Sequence, residues 1–292
     1  MLSFDDWARD GSKELDRFGG SPWLEIGALL VARDAHPELD VRSLLGQLDA
    51  LAEPLAGRAL HRASVEDAAE AIAHHLFGVH GFRGNEAEYG DPHNSHLNDV
   101  LERKLGIPIT LAIVLMGVAR RVGVTARGVS FPGHFLVRYE RTHGGPLIVD
   151  PFDRGRALTM DELERRLRRA TESRTPAPEG EYEPRLQMRH LEPATLRAIV
   201  VRVLTNLKAA YLAKGDPARA LVAATRIVTL APGDPVALRD RGLLQARLGA
   251  PAGARADLAQ YLEMSPKAND AARIEQMLEH LTQTSQQRGG AN

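Results

Sequence analysis

The spacing of apolar positions changes along the chain. Between residues 22 and 54 apolar side chains recur every three to four positions. "PWLEIGALLVARDAH" gathers Leu24, Ala28, Leu29 and Ala32 on one helical face, and "DVRSLLGQLDALAEPL" does the same with Val41, Leu44, Leu45, Leu48 and Leu51. Pro22 and Asp40 are start signals for these two helices. "SVEDAAEAIAHHLF" (64–77) predicts a third, opened by Ser64 with Asp67 three residues on. A short helix follows from Leu97 to Lys104. In "GIPITLAIVLMGVA" (106–119) the polar positions almost vanish. Pro108 suits the first turn of a helix over 108–122, and Gly123 suits its end. That run is shorter than the ~20 residues a bilayer requires, so it predicts a buried core helix.

Between 127 and 152 the pattern becomes strand-like. "ARGVSF", "HFLVRYE" and "PLIVDPF" predict strands, the last two joined by the turn "RTHGGP". Residues 161–170 return to a helical period with a charged outer face. Two stretches have no period. "GVHGFRGNEAEYGDPHNSH" (78–96) is a long irregular loop, a kind that is usually functional or disordered in compact domains. "TESRTPAPEGEYEPR" (171–185) has the composition of a linker.

Beyond the linker the sequence repeats itself. Gly215, Ala220 and Pro232 recur as Gly249, Ala254 and Pro266, each 34 residues later. The period, and a small residue after each turn, resemble the tetratricopeptide repeat. Ala220 and Ala254 occupy positions where a larger side chain would push two helices apart. A further helix over 268–283 is expected to cap the stack, and the tail from 284 to fray.

Composition narrows the chemistry. The chain has 292 residues, room for two domains, and 43% hydrophobic and 26% charged residues, as in ordinary globular proteins. Its net charge of −1 gives no long-range field toward nucleic acid or anionic lipid. The basic runs at 119–121 and 165–169 are therefore expected to be solvated helix faces. The paired His74 and His75 are expected to decorate a helix. There is no cysteine, which excludes disulfides, thiolate metal sites and thiol catalysis. The acidic N-terminus has no apolar signal segment. A cytoplasmic protein with no membrane and no nucleic-acid partner is the expectation.

The candidate chemistry centres on His134, at the mouth of "FPGHFLVRY", and Asp150, at the end of "LIVD". A histidine and an aspartate on neighbouring strands suit a general base and the group that orients it. Thr110, near the start of the buried helix, is the nearest hydroxyl. A helix-start threonine commonly bonds the backbone instead. Asn94 and Asn98 are candidates to bring amides toward His134. A metal reading of His93 and His96, with His75, His80 and Asp91, is set aside because the spacing matches no strong motif. No metal and no cofactor are expected.

"NSHLNDVLERKLGIPITLAIVLMGVARRVGV", "GVSFPGHFLVRYE" and "LIVDPF" together resemble the transglutaminase-like domain of bacterial Sir-B-type proteins, the invasion-regulator homologues. A related domain occurs in some eukaryotic F-box proteins. The resemblance covers roughly residues 20–170 and 195–266. It implies a papain-like α+β domain with a small antiparallel sheet, followed by an all-α tetratricopeptide-repeat array. It assigns His134 and Asp150 to the family's His and Asp, while the segment that would carry a catalytic cysteine is "GIPIT" here. The expected domains are residues 1–170, a linker over 171–189 and repeats over 190–285. The expected function is a non-thiol pseudoenzyme that binds a protein or peptide through its cleft and repeat surface. The alternative is a hydrolase or acyl transferase that uses His134 and Asp150 with Thr110 or water.

Overall fold

A computed structural model describes residues 2–11, 22–172 and 185–289, with side chains described to residue 283. Most of the expected linker, and the last three residues, lie outside the described residues. The chain divides into two compact units, Met1–Val203 and Leu204–Asn292.

The first unit begins with α1 (Phe4–Asp10), a short helix that the apolar spacing did not reveal. Ser3 and Asp6 close a capping box at its start, and Trp7 is fully buried and donates its indole N–H to the Trp23 carbonyl. Next come α2 (Pro22–Arg33) and α3 (Val41–Ala56), the latter capped by the Asp40 carboxylate. α4 (Val65–Ala73) starts at Ser64, whose hydroxyl accepts the Asp67 N–H. It runs on into a π-helical segment, His74–Val79. Here His75 does not decorate a surface. It is buried, and its Nε2 donates to the Leu51 carbonyl at 2.8 Å.

The loop that follows is more ordered than its composition suggests. β1 (Arg83–Gly84) and β2 (Leu105–Gly106) form a small parallel pair around α5 (Leu97–Arg103). Lys104 ends α5 in the left-handed region (φ 60°). α6 (Pro108–Arg121) is buried on every side from Pro108 to Ala119, which is why its sequence lacks a polar face. Around it pack α3, α4, α5 and the main sheet.

That sheet has four antiparallel strands in sequence order: β3 (Ala126–Val129), β4 (Leu136–Tyr139), β5 (Leu147–Asp150) and β6 (Arg156–Ala157). Val137 pairs with Val149 across β4 and β5. α7 (Met160–Glu172) then lays Leu163 and Leu167 into a core shared with Val129, Phe131, Leu136, Ile148 and Leu191.

Two expectations are corrected here. The basic run of α6 is not a solvated face: Arg120 and Arg121 both pair with Glu25, which is only 2% exposed, and Arg121 also reaches Asp49 at 2.6 Å. Gly117 makes room for this, since a Cβ there would lie 2.5 Å from a Glu25 carboxylate oxygen. The first unit also runs past residue 170. Leu191 joins the sheet core, its carbonyl accepts from Arg138 at 2.6 Å, and the Ala194 N–H bonds the Gly128 carbonyl at 2.8 Å. The boundary between units falls inside α8 (Leu196–Ala213).

The second unit is all helical: the rest of α8, then α9 (Pro217–Leu230), α10 (Pro235–Arg247), α11 (Pro251–Met264) and α12 (Ala271–Gly289). The positions matched at 34 residues share their backbone conformation. Gly215 and Gly249 have φ of 74° and 75°, values that favour glycine and let each turn reverse. Ala220 and Ala254 are both 0% exposed. Gly242 lets α10 approach α11, because a Cβ there would meet Leu258 at 2.8 Å. Arg241 forms a two-pronged bond to the buried Asp257 at 2.6 Å on each arm. The last helix continues through Gly289, past the expected start of fraying at 284. No strand occurs beyond Ala157 among the described residues, and no helix among them is long and apolar enough to cross a membrane.

Candidate functional site

The turn between β3 and β4 sets the position of His134. Its N–H bonds the Phe131 carbonyl at 3.0 Å, and Gly133 holds φ 71° with Ala170 only 3.1 Å from where a Cβ would sit. A side chain at 133 would thus meet both backbone strain and a neighbour. On the next strand, β5 ends at Asp150, which is 2% exposed.

His134 Nε2 lies 2.9 Å from Asp150 Oδ1. The same oxygen accepts the Phe152 N–H at 3.0 Å, and the other, Oδ2, accepts Arg166 Nη1 at 2.6 Å. Burial by itself would raise the Asp150 pKa. The His134 hydrogen bond and the charges of His134 and Arg166 outweigh that, and the carboxyl stays below the usual carboxylate range. An ionised carboxylate only accepts, so His134 Nε2 carries a proton. In the neutral ring this leaves Nδ1 as an acceptor, and it has no hydrogen-bond partner among the described residues.

A row of two more rings runs on from the histidine. Phe152 stands edge-on to His134 with centroids 6.2 Å apart, and Tyr89 stands edge-on to Phe152 at 5.9 Å. Gly84 makes this row possible, since a Cβ on it would penetrate the Phe152 ring at 2.4 Å. Tyr89 remains half exposed.

Thr110 is not joined to the pair. It is completely buried at the start of α6, where its Oγ1 donates to the Asn94 carbonyl at 2.7 Å and accepts the Ile107 N–H at 3.1 Å. Gly106 leaves just enough room, with 2.8 Å from a virtual Cβ to Thr110 Oγ1.

Asn94 and Asn98 do not offer their amides to His134. Asn94 is 0% exposed, its Nδ2 donates to the Glu88 carbonyl at 2.7 Å, and its oxygen accepts Asn85 Nδ2 at 3.0 Å. It holds the loop that carries Tyr89. Asn98 Nδ2 donates to Asp99 Oδ1 at 2.8 Å. Sequence reasoning passed over Arg166, because a charged helix face does not reveal which of its arginines turns inward. It also passed over Phe152, although "LIVDPF" was in view. Tyr89 had no signal beyond its place in a long polar loop.

His134 beside an ionised Asp150 can take a proton or accept a hydrogen bond from a bound amide or water. Arg166 and His134 share the Asp150 carboxylate, one on each oxygen.

Residues 42–205 match the family described as the transglutaminase-like superfamily, and residues 207–279 match the tetratricopeptide repeat. A UPF0162 protein of Xylella fastidiosa is 40% identical over 267 residues, covering 89% of each chain. A UPF0162 protein of Pseudomonas aeruginosa is 30% identical over 260 residues, covering 89% of this chain and 91% of the relative. F-box only protein 21 of Mus musculus is 34% identical over 102 residues, which is 32% of this chain and 16% of that protein. With one family match extending over more than half its length and a relative aligned almost end to end, this chain belongs to the transglutaminase-like superfamily, among the UPF0162 proteins, and carries a tetratricopeptide-repeat region after that domain.

Proposed function

We propose that the chain is a non-thiol, cytoplasmic transglutaminase-like protein of the Sir-B type that works by binding a protein or peptide. The repeats supply the principal surface, and the row His134, Phe152 and Tyr89 supplies a smaller cleft. The observation that carries this reading is the engagement of Thr110. Its hydroxyl proton goes to the Asn94 carbonyl, in a chain that has no cysteine. Acyl transfer from an amide needs a nucleophile that is ionised or losing its proton to a base during attack. Thr110 meets neither condition.

The test is an amine-incorporation assay and a broad peptide-cleavage assay on the full chain and on His134→Ala. The expected result is no turnover in either protein. Turnover in the wild type that disappears in His134→Ala would overturn the binding reading. One observation favours a second reading, a hydrolase in which His134 activates water: Nδ1 of His134 has no hydrogen-bond partner among the described residues. The same assays decide it.

A further inference from the structure

The loop and helix over residues 91–99 hold a second cluster, separate from His134. Asp99 lies in the first turn of α5 and is 6% exposed. Its Oδ2 faces two imidazoles, with His93 Nδ1 at 2.6 Å and His36 Nε2 at 3.2 Å. The three ligand-type atoms all lie within 4.8 Å of one another. His36 comes from the turn between α2 and α3, 63 residues away in sequence from Asp99. That distance hid the cluster from any motif with fixed spacing, and the set differs from the one weighed and set aside on sequence.

We propose that His36, His93 and Asp99 form a binding site for one divalent cation of the zinc class, with an open coordination position. Two imidazoles and a carboxylate are ligands that suit zinc, and three protein ligands leave a fourth position for water or another ligand. At bond lengths of about 2.0–2.2 Å, tetrahedral ligand atoms lie about 3.3–3.6 Å apart. The His36–Asp99 separation of 3.2 Å is already close to that range, the His93–Asp99 separation of 2.6 Å is shorter, and the two imidazole nitrogens lie within 4.8 Å of each other, so His93 is the ligand that has to shift. His93 is 56% exposed at its side chain and can make that adjustment, and its position on the rim keeps the open side accessible.

The surroundings are those of a ligand set held from behind. Asn98 Nδ2 fixes Asp99 Oδ1 at 2.8 Å, which leaves Oδ2 turned toward the histidines. Asp91 caps the turn that carries His93, accepting its N–H at 3.1 Å, and is itself paired with Arg103 at 3.1 Å. The His96 ring stands edge-on to His36, with centroids 5.5 Å apart. Partners that orient the ligands in this way typically change metal affinity 10–100-fold when removed. Binding requires a lone pair on His36 Nε2 and His93 Nδ1. In each neutral ring the proton moves to the other nitrogen, and the hydrogen bonds to Asp99 Oδ2 are replaced by bonds to the metal.

The experiment is calorimetric titration of chelator-treated, full-length protein with zinc chloride, paired with thermal melts with and without zinc. One equivalent bound and a higher Tm with zinc are expected. His93→Ala, an exposed change compatible with folding, is expected to weaken binding at least ~100-fold, and Asn98→Ala ~10–100-fold. His80→Ala, which removes one ring of the other close histidine pair (His75–His80, 4.5 Å), is expected to leave it unchanged. Failure of the wild type to bind one equivalent, or full binding by a folded His93→Ala, overturns the proposal.

Discussion

Thr110 gives its hydroxyl proton to the backbone carbonyl of Asn94, 2.7 Å away, and through that bond joins the start of the buried helix α6 to the loop below it. Thr110 also accepts the Ile107 N–H, so one hydroxyl serves two backbone groups. It acts there as a strut.

Thr110→Val keeps the shape of the side chain and removes both bonds. The Asn94 carbonyl and the Ile107 N–H are left without these partners in a buried setting, where each unsatisfied group costs about 1–3 kcal/mol. The expected outcome is a loss of a few kcal/mol in urea unfolding, read as a lower midpoint at an unchanged slope. A variant as stable as the wild type would show that the strut carries no weight.

Asp150 makes the first unit sensitive to acid. Its folded pKa is depressed, through the His134 hydrogen bond and the His134 and Arg166 charges acting against burial. The stability it contributes is therefore present above the unfolded carboxyl value, about 3.9, and is lost as pH falls through the lower folded value. Arg166→Met removes one of the two side chains that hold the carboxylate. Asp150 is then expected to titrate closer to its ordinary range, with less stability at neutral pH and a flatter pH dependence in acid. Carboxyl NMR titration and unfolding at a series of pH values measure both effects.

Glu25 is buried between two arginines. Removing one member of such a set leaves charge without its counterpart, at a cost of about 3–5 kcal/mol. Glu25→Ala is expected to destabilise by that order, and Gly117→Ala to destabilise as well, because its methyl would press on the same carboxylate. Calorimetric melts of both variants test the pair.

Tyr139 is 1% exposed, and its hydroxyl has no hydrogen-bond partner among the described residues. Burial pushes its pKa upward. Tyr139→Phe removes an unsatisfied polar atom and keeps the ring. Its Tm is expected to equal or exceed that of the wild type. A clear drop would mean that the hydroxyl is satisfied in solution.

Much of the architecture could be read along the chain, and the reasons are local. A 34-residue recurrence fixes equivalent turns, and a glycine with positive φ or an alanine with no surface marks the same place in each copy. The unbroken apolar run of α6 signals burial on all sides. The alternation after His134 and the hairpin turn before Leu147 put β4 beside β5, and so bring His134, in the turn before β4, next to Asp150 at the end of β5. What misled was charge. Arg120, Arg121 and Arg166 look like surface residues by composition, yet each reaches a carboxylate on another segment, and the distances in sequence are 95, 96 and 16 residues.

By itself, then, the sequence determined most of the helices, the strands β3 to β5, their order, the repeat and the absence of any thiol, because period, turn chemistry and residue type act over a few neighbouring positions. Tertiary structure alone decided which side chains meet. It directed Thr110 to a backbone carbonyl, gave Asp150 a second partner in Arg166, and drew His36 to Asp99. Hydrogen bonds and ion pairs form within about 3 Å whatever the separation along the chain, and only packing sets that distance.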